Sequence, residues 1–188
     1  MALTTTLSSG RLGVTRLHLS RLAQDGYLER LGYGVYRAVS APADPREAIK
    51  AAWLSINPGF TAEERLACQP YDAVVSGRAA AWLLGIGDLV PEPYQFTTPT
   101  RRQTQRTEFT YRIRHLPPVS VTLREGLPVT TPEQTIADLV EDRQDFSLVA
   151  DAGLLDRVRL VELLAPLAAR NGYQPHNGEA LLAALERP

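Results

Sequence analysis

The sequence predicts an α+β fold with a small N-terminal domain and a larger α/β domain, and three observations support this. Residues 6–37 combine two helical spacings with a Gly-containing alternation of apolar and polar residues. Residues 40–45, SAPADP, read as a linker because two prolines in a run of small residues do not suit a helix interior. Beyond it, strand and helix patterns alternate up to residue 140. We therefore expect domains at 1–41 and 42–188.

The N-terminal pattern predicts a helix-turn-helix. A short first helix is followed by a turn at Gly13-Val14 and by a second helix that ends at Asp25-Gly26. At helical spacing one side of the second helix is apolar, and the other side is suited to a DNA major groove. The apolar side consists of Leu19, Leu22 and Ala23. The opposite side consists of Leu17, Ser20, Arg21 and Gln24, with Arg16 at its N-terminal edge.

A small β-wing is expected next. The stretch YLERLGYGVYR alternates about a turn at Tyr33-Gly34, as a hairpin does. The whole N-terminal stretch carries a net charge of +3, which favours contact with phosphates. Its arginines are Arg11, Arg16, Arg21, Arg30 and Arg37. The first helix of a winged helix is short or missing here, and a protein-interaction module of the same shape remains an alternative.

The second domain begins with helical patterns and continues with strands. Asp44 can cap a helix that has Pro45 in its first position, and Thr61 with Glu64 has the spacing of a capping box. A short strand ends at Val75, where Ser76 can cap an apolar, buried helix that stops at Gly85. Three further strands are expected at Tyr94–Thr98, Glu108–Ile113 and Val119–Leu123.

Helices predominate in the last third of the chain. After a strand that ends at Thr130, Thr131 caps a helix with Pro132 in its first position. Helical patterns follow at 146–155, at 156–169 with a kink at Pro166, and at 179–185. We expect a mostly antiparallel small sheet, closed by these C-terminal helices.

A second cationic surface is expected on this sheet. Residues 99–124 carry a net charge of +5, whereas residues 125–188 carry −6. Arg112 and Arg114 point to one face of their strand, and Tyr111 and Ile113 point to the other. This cationic face is either a solvated surface or a surface for nucleic acid or an acidic partner. Its arginines are Arg101, Arg102, Arg106, Arg112 and Arg114.

The residues argue against catalysis and against metal binding. A nuclease of the restriction type needs an acid pair and a catalytic lysine, but Lys50 is the chain's one lysine and the acid before it has helical spacing. Asp88 follows a glycine-rich turn but lacks a second acid two residues later, so a nucleotidyltransferase site is not formed. The single cysteine and three scattered histidines predict neither a disulfide nor a metal site. We expect no cofactor, no enzyme activity, no membrane span and a cytoplasmic protein.

Three stretches in this order resemble the AbiEi family, the antitoxin half of type IV toxin–antitoxin pairs from abortive-infection systems. They are GVTRLHLSRLAQDGYLERLGYGVYR, VVSGRAAAWLLGIGD and GLPVTTPEQTIADLV, and the resemblance covers roughly residues 4–155. It implies a winged helix-turn-helix that binds operator DNA and represses its own operon. It also implies a C-terminal domain that counteracts a cognate nucleotidyltransferase toxin, directly or indirectly.

The resemblance also assigns residues. Arg16, Leu17, Ser20 and Arg21 would face the DNA groove, and Arg30, Tyr33 and Arg37 of the wing would reach the backbone. A protein that binds as a dimer would recognise an inverted repeat. The alternative function is a module that neutralises the toxin by direct contact without binding DNA.

Overall fold

The computed structural model describes residues 3–5, 13–42, 44–103, 106–143 and 155–186, and the chain forms two compact units. The first unit comprises residues 1–73 and the second residues 74–188. The structure thus divides the chain after residue 73, whereas the linker composition predicted a boundary near residue 42. The linker composition of residues 40–45 marks a turn inside the first unit, because the helix that follows packs back onto the wing.

The first unit contains one described helix of the predicted pair and a three-stranded sheet. Strand β1 (Leu3–Thr5) is followed by α1 (Arg16–Gln24), β2 (Leu28–Gly32) and β3 (Val35–Ala38). The strands are antiparallel in the order β1-β3-β2. The short first helix and Arg11, both expected from the sequence, lie outside the described residues.

Helix α1 begins with a capping box. The Thr15 hydroxyl accepts a hydrogen bond from the His18 amide, and His18 Nδ1 accepts one from the Thr15 amide, both at 3.3 Å. The helix ends at Asp25, and Gly26 then adopts a positive φ of 79°. That conformation suits glycine because it has no Cβ to meet the backbone. The second helix of the pair is thus present where the sequence predicted it.

Helix α2 (Glu47–Ile56) covers the wing. Gly32 of β2 lies close to it, since a Cβ built there would be 3.4 Å from Ser55 Cβ. Arg46 rather than Asp44 occupies the position before the helix, so the predicted cap is wrong. The Asp44 carboxylate instead accepts from the Arg46 amide at 2.9 Å and pairs with Lys50 Nζ at 2.8 Å.

A buried arginine, Arg65, connects the last elements of the first unit. Helix α3 (Ala62–Ala67) begins at the predicted Thr61–Glu64 capping box. Arg65 of α3 stacks over the Trp53 ring, with its Cζ 3.6 Å from the ring centroid. It also donates to the Trp53 carbonyl at 2.6 Å and binds Asp72 Oδ1 at 2.8 Å. These contacts tie α2, α3 and the chain leading to residue 73 into one body.

The second unit is built on a mixed five-stranded sheet. Its strands are β4 (Val74–Ser76), β5 (Tyr94–Thr98), β6 (Phe109–Ile113), β7 (Val121–Arg124) and β8 (Leu127–Thr130). Their order is β6-β5-β4-β8-β7, in which β5–β6 and β4–β8 are parallel. The α+β class is confirmed, but the sheet is half antiparallel rather than mostly so. Alternation along a strand reveals its faces, whereas its direction depends on how the connections cross the sheet.

Four helices complete the described part of this unit. They are α4 (Gly77–Leu84), α5 (Pro132–Glu141), α6 (Arg157–Leu164) and α7 (Gly178–Leu185). Thr131 caps α5, as predicted, by accepting from the Gln134 amide at 3.4 Å. Helix α6 stops at Leu164 and passes into 3-10 turns around Pro166, where the sequence predicted a kink. The helical pattern predicted at 146–155 lies almost wholly outside the described residues.

Helices α5, α6 and α7 share one hydrophobic core, whose buried members are Ile136, Ala137, Val140, Leu160, Leu164, Leu181, Leu182 and Leu185. Among the described residues, no helix is both long and apolar enough to cross a membrane.

Candidate nucleic-acid interface

Helix α1 presents a solvent-exposed face on the first unit. Leu19 is buried and Ala23 is half-buried, and these two residues hold the helix against the unit. Leu22 was expected to be buried beside them, but 37% of its surface is exposed to solvent. All five residues predicted for the opposite side and its edge are exposed, and they are Arg16, Leu17, Ser20, Arg21 and Gln24. The predicted face is therefore open to solvent, as groove recognition requires.

The wing tip contacts the start of this helix. The Arg16 guanidinium lies over the Tyr33 ring, 5.6 Å from its centroid, within the range of a cation–π interaction. Tyr33 belongs to the hairpin turn, where Gly34 adopts a φ of 70°. The contact brings two sequence-predicted residues together and sets the helix terminus beside the wing. Arg30, also on the wing, is exposed and donates through Nε to the Gly32 carbonyl at 3.3 Å.

Arg37, which was predicted to reach the DNA backbone, has a different environment. It forms ion pairs with Glu29 and with Glu47 Oε2, the latter at 3.1 Å, and its side chain is only 16% exposed. The hydrogen bond to Glu29 raises the pKa of the guanidinium. Arg37 joins the wing to α2 and is not available to a phosphate in this arrangement.

The predicted cationic face of the second unit is neutralised inside the protein. Arg112 of β6 and Arg114, which follows the strand, both contact Asp138 of α5. Arg112 pairs with Asp138 at 2.9 Å and with Asp142, and Arg114 pairs with Asp138 at 2.6 Å and with Glu141. In this arrangement Arg112 and Arg114 are engaged by acidic residues of the same unit and do not form a free cationic face. The sequence could not show that the −6 segment folds onto the +5 segment.

Asp138 is the centre of this cluster. Its side chain has no solvent exposure, and its Oδ1 also accepts from Gln134 Nε2 at 3.0 Å. Burial raises the pKa of this carboxyl, while the charges of Arg112 and Arg114 act in the opposite direction. Glu133, on the same helix as Asp138, has a different partner. Glu133 Oε1 accepts from the Asp156 amide at 3.0 Å.

The other three arginines of the predicted surface differ in their environments. Arg101 is exposed and Arg102 is half-buried. Arg106 pairs with Glu108 at 2.8 Å and lies over the Phe109 ring, 4.6 Å from its centroid. Within the described residues, no group of His, Cys, Asp and Glu is arranged to hold a metal ion.

The sequence carried a signal for the Asp138 cluster that the sequence analysis missed. Arg112 and Arg114 are two residues apart on a strand, and Asp138, Glu141 and Asp142 follow the i, i+3, i+4 spacing of one helix face. A strand with two cations and a helix with three acids form a complementary pair. The pairing becomes apparent only in the fold, which brings the C-terminal half of α5 to Arg112 and Arg114.

Comparisons with known proteins bear on both units. A family model described as the AbiEi antitoxin C-terminal domain matches residues 73–170, more than half of the chain. No curated protein matches the chain. A solved structure, the crystal structure of RV2827C protein from Mycobacterium tuberculosis, is similar with a TM-score of 0.57 and 18% sequence identity. The match covers 100% of this chain and 78% of that chain, and at this identity it shows the fold alone.

Proposed function

The chain belongs to the AbiEi antitoxin family, and from that premise we propose that its N-terminal unit binds operator DNA and represses the operon that encodes it. Membership identifies the protein as an antitoxin of a toxin–antitoxin system, a regulatory rather than an enzymatic kind of protein. The family model begins at residue 73, so the DNA-binding proposal depends on residues that precede it.

The exposed face of α1 is the observation that carries this proposal. A recognition helix must combine a buried side that holds it with an open side that reaches base edges. Leu19 meets the first requirement, and the face of Leu17, Ser20, Arg21 and Gln24 meets the second.

Arginines suited to phosphate contacts surround this face. The ion pairs formed between described residues do not include Arg16, Arg21 or Arg30. Arg16 lies at the edge of the recognition face, Arg21 belongs to that face, and Arg30 lies on the wing. The formal net charge of the chain is −1, so its attraction to DNA has to come from such a local concentration of cations. Binding that depends on phosphate contacts weakens steeply with salt.

We also propose that the second unit counteracts a cognate nucleotidyltransferase toxin, directly or indirectly. Because Arg112 and Arg114 are paired within the unit, the C-terminal helices are the better candidate for an antitoxic surface than the β6 arginines. On an inverted repeat, two copies of the chain would bind neighbouring half-sites.

A mobility shift on the DNA upstream of the gene tests the DNA-binding proposal. The intact protein, an Arg16→Ala/Arg21→Ala variant and a control are compared at several salt concentrations. We expect the variant to lose at least about tenfold in affinity, and its slope of log K against log salt to fall by roughly 2, one for each phosphate contact.

The control removes the same charge elsewhere. Arg124→Ala/Arg170→Ala takes two exposed arginines from the second unit and should bind like the intact protein. Equal losses in both variants would mean that the effect is one of net charge and would contradict an interface on α1. No binding by folded, intact protein would instead favour the interaction module that neutralises the toxin without DNA.

A further inference from the structure

Leu17 is an apolar side chain in the middle of a polar face. It is the second residue of α1 and is 59% exposed. Ser20, Arg21 and Gln24 lie three, four and seven residues further on, so they share its side of the helix. The burial of α1 relies on Leu19 and Ala23 and does not need Leu17.

The position of Leu17 suits a contact with a base. In a helix-turn-helix the N-terminal residues of the recognition helix approach the base edges most closely. Arg16 is held towards the wing by Tyr33, whereas Arg21 lies one turn further along the helix. Along α1, Leu17 therefore lies between two cations that can contact the phosphates. It belongs to the first turn of the helix, the part from which side chains reach the bases.

We propose that Leu17 contacts the 5-methyl group of a thymine in the operator. Among the groups that the four base pairs display in the major groove, the thymine methyl is the apolar one, and an apolar side chain recognises it by contact. This inference rests on the proposed function and adds to it: Leu17 contributes sequence specificity, whereas the arginines contribute affinity for any duplex.

Replacement of thymine by deoxyuridine removes only the methyl group and tests the contact. The operator is first mapped by footprinting, and each of its thymines is then replaced in turn. We expect one position in each half-site at which deoxyuridine weakens binding of the intact protein about fourfold, the effect of losing one buried methyl group. With Leu17→Ala, thymine and deoxyuridine at that position should bind equally.

A matched variant outside this face serves as the control. Leu123→Ala shortens a leucine of the second unit that is 57% exposed, and it should keep the fourfold sensitivity at that thymine. Far-UV circular dichroism checks that Leu17→Ala is folded, as we expect for an exposed side chain.

Two results would overturn the inference. One is specific binding by the intact protein with no thymine sensitive to loss of its methyl group. The other is a sensitive thymine whose effect persists unchanged in Leu17→Ala. If the intact, folded protein binds no DNA, the proposed function itself fails and this inference fails with it.

Discussion

At the scale of single residues, Asp138 is the buried centre of an ion-pair cluster in the second unit. Its carboxylate is fully buried and contacts two guanidinium groups, one from Arg112 and one from Arg114. A buried ion pair gains little over an apolar pair, but removing one partner leaves the other as an uncompensated buried charge. Here the loss of Asp138 would leave two cations without their common partner.

Asp138→Asn should therefore destabilise the protein by about 3 kcal/mol, although asparagine has nearly the same shape. The measurement is the free energy of unfolding in urea, followed by far-UV circular dichroism. Glu108→Gln is the control, because the Arg106–Glu108 pair is well exposed, and it should cost less than about 1 kcal/mol. Similar, small losses in both variants would contradict a central role for Asp138.

At the scale of elements, the contact between α6 and α7 depends on a glycine. Gly178 is the first residue of α7, and a Cβ built there would lie 2.2 Å from the Val161 carbonyl oxygen and 3.0 Å from the Ala165 amide nitrogen. Both atoms belong to the backbone, so no side-chain rotation can relieve the overlap. The close approach lets Leu181, Leu182 and Leu185 enter the shared core.

Gly178→Ala should destabilise the protein by at least about 2 kcal/mol, because an added methyl group overpacks the contact and α7 has to shift. Alanine is otherwise the better helix former, so the sign of the change distinguishes packing from propensity. Thermal or urea unfolding measures it. Gly59→Ala is the matched control, since its nearest atom would be 3.8 Å away, and a change within about 0.5 kcal/mol is expected there. A neutral Gly178→Ala would mean that the helices are not in close contact.

At the scale of the whole molecule, the two units divide the chain at residues 73 and 74. The wing depends on α2 for its packing, through the Arg37–Glu47 ion pair and the close approach of Gly32 to Ser55. Helix α2 in turn is held by the stack of Arg65 on Trp53. A fragment made to test DNA binding therefore has to include both helices.

Fragment 1–73 should fold cooperatively, whereas fragment 1–41 should not, because the shorter one lacks the helices that cover its sheet. Thermal unfolding by circular dichroism compares them, and Trp53 fluorescence follows the longer fragment through its one tryptophan. If fragment 1–41 unfolded cooperatively and bound DNA as tightly as fragment 1–73, the boundary predicted from the linker composition would be restored.

Local signals in the sequence predicted the positions of most helices and strands. The caps at Thr61 and Thr131 and the stop at Gly85 act within a few residues of themselves, so they mark the helix ends directly. The same holds for the exposed side of α1, since helical spacing separates Leu19 from Leu17 and Arg21 without reference to any other element. The α+β class, which such patterns predicted, is confirmed, and so is the antitoxin family, which the resemblance of three stretches indicated.

Contacts between distant segments were decided by the tertiary structure. The sequence predicted Arg37 as a wing cation that contacts DNA, but in the fold it pairs with Glu47. Arg112 and Arg114 were predicted to form a cationic face, but both pair with Asp138. The observed boundary after residue 73 differs from the one predicted near residue 42 for the same reason, because α2 packs onto the wing that precedes it. The physical reason is one of range: capping and periodicity depend on neighbours along the chain, whereas the availability of a charge depends on what the fold places within about 4 Å of it.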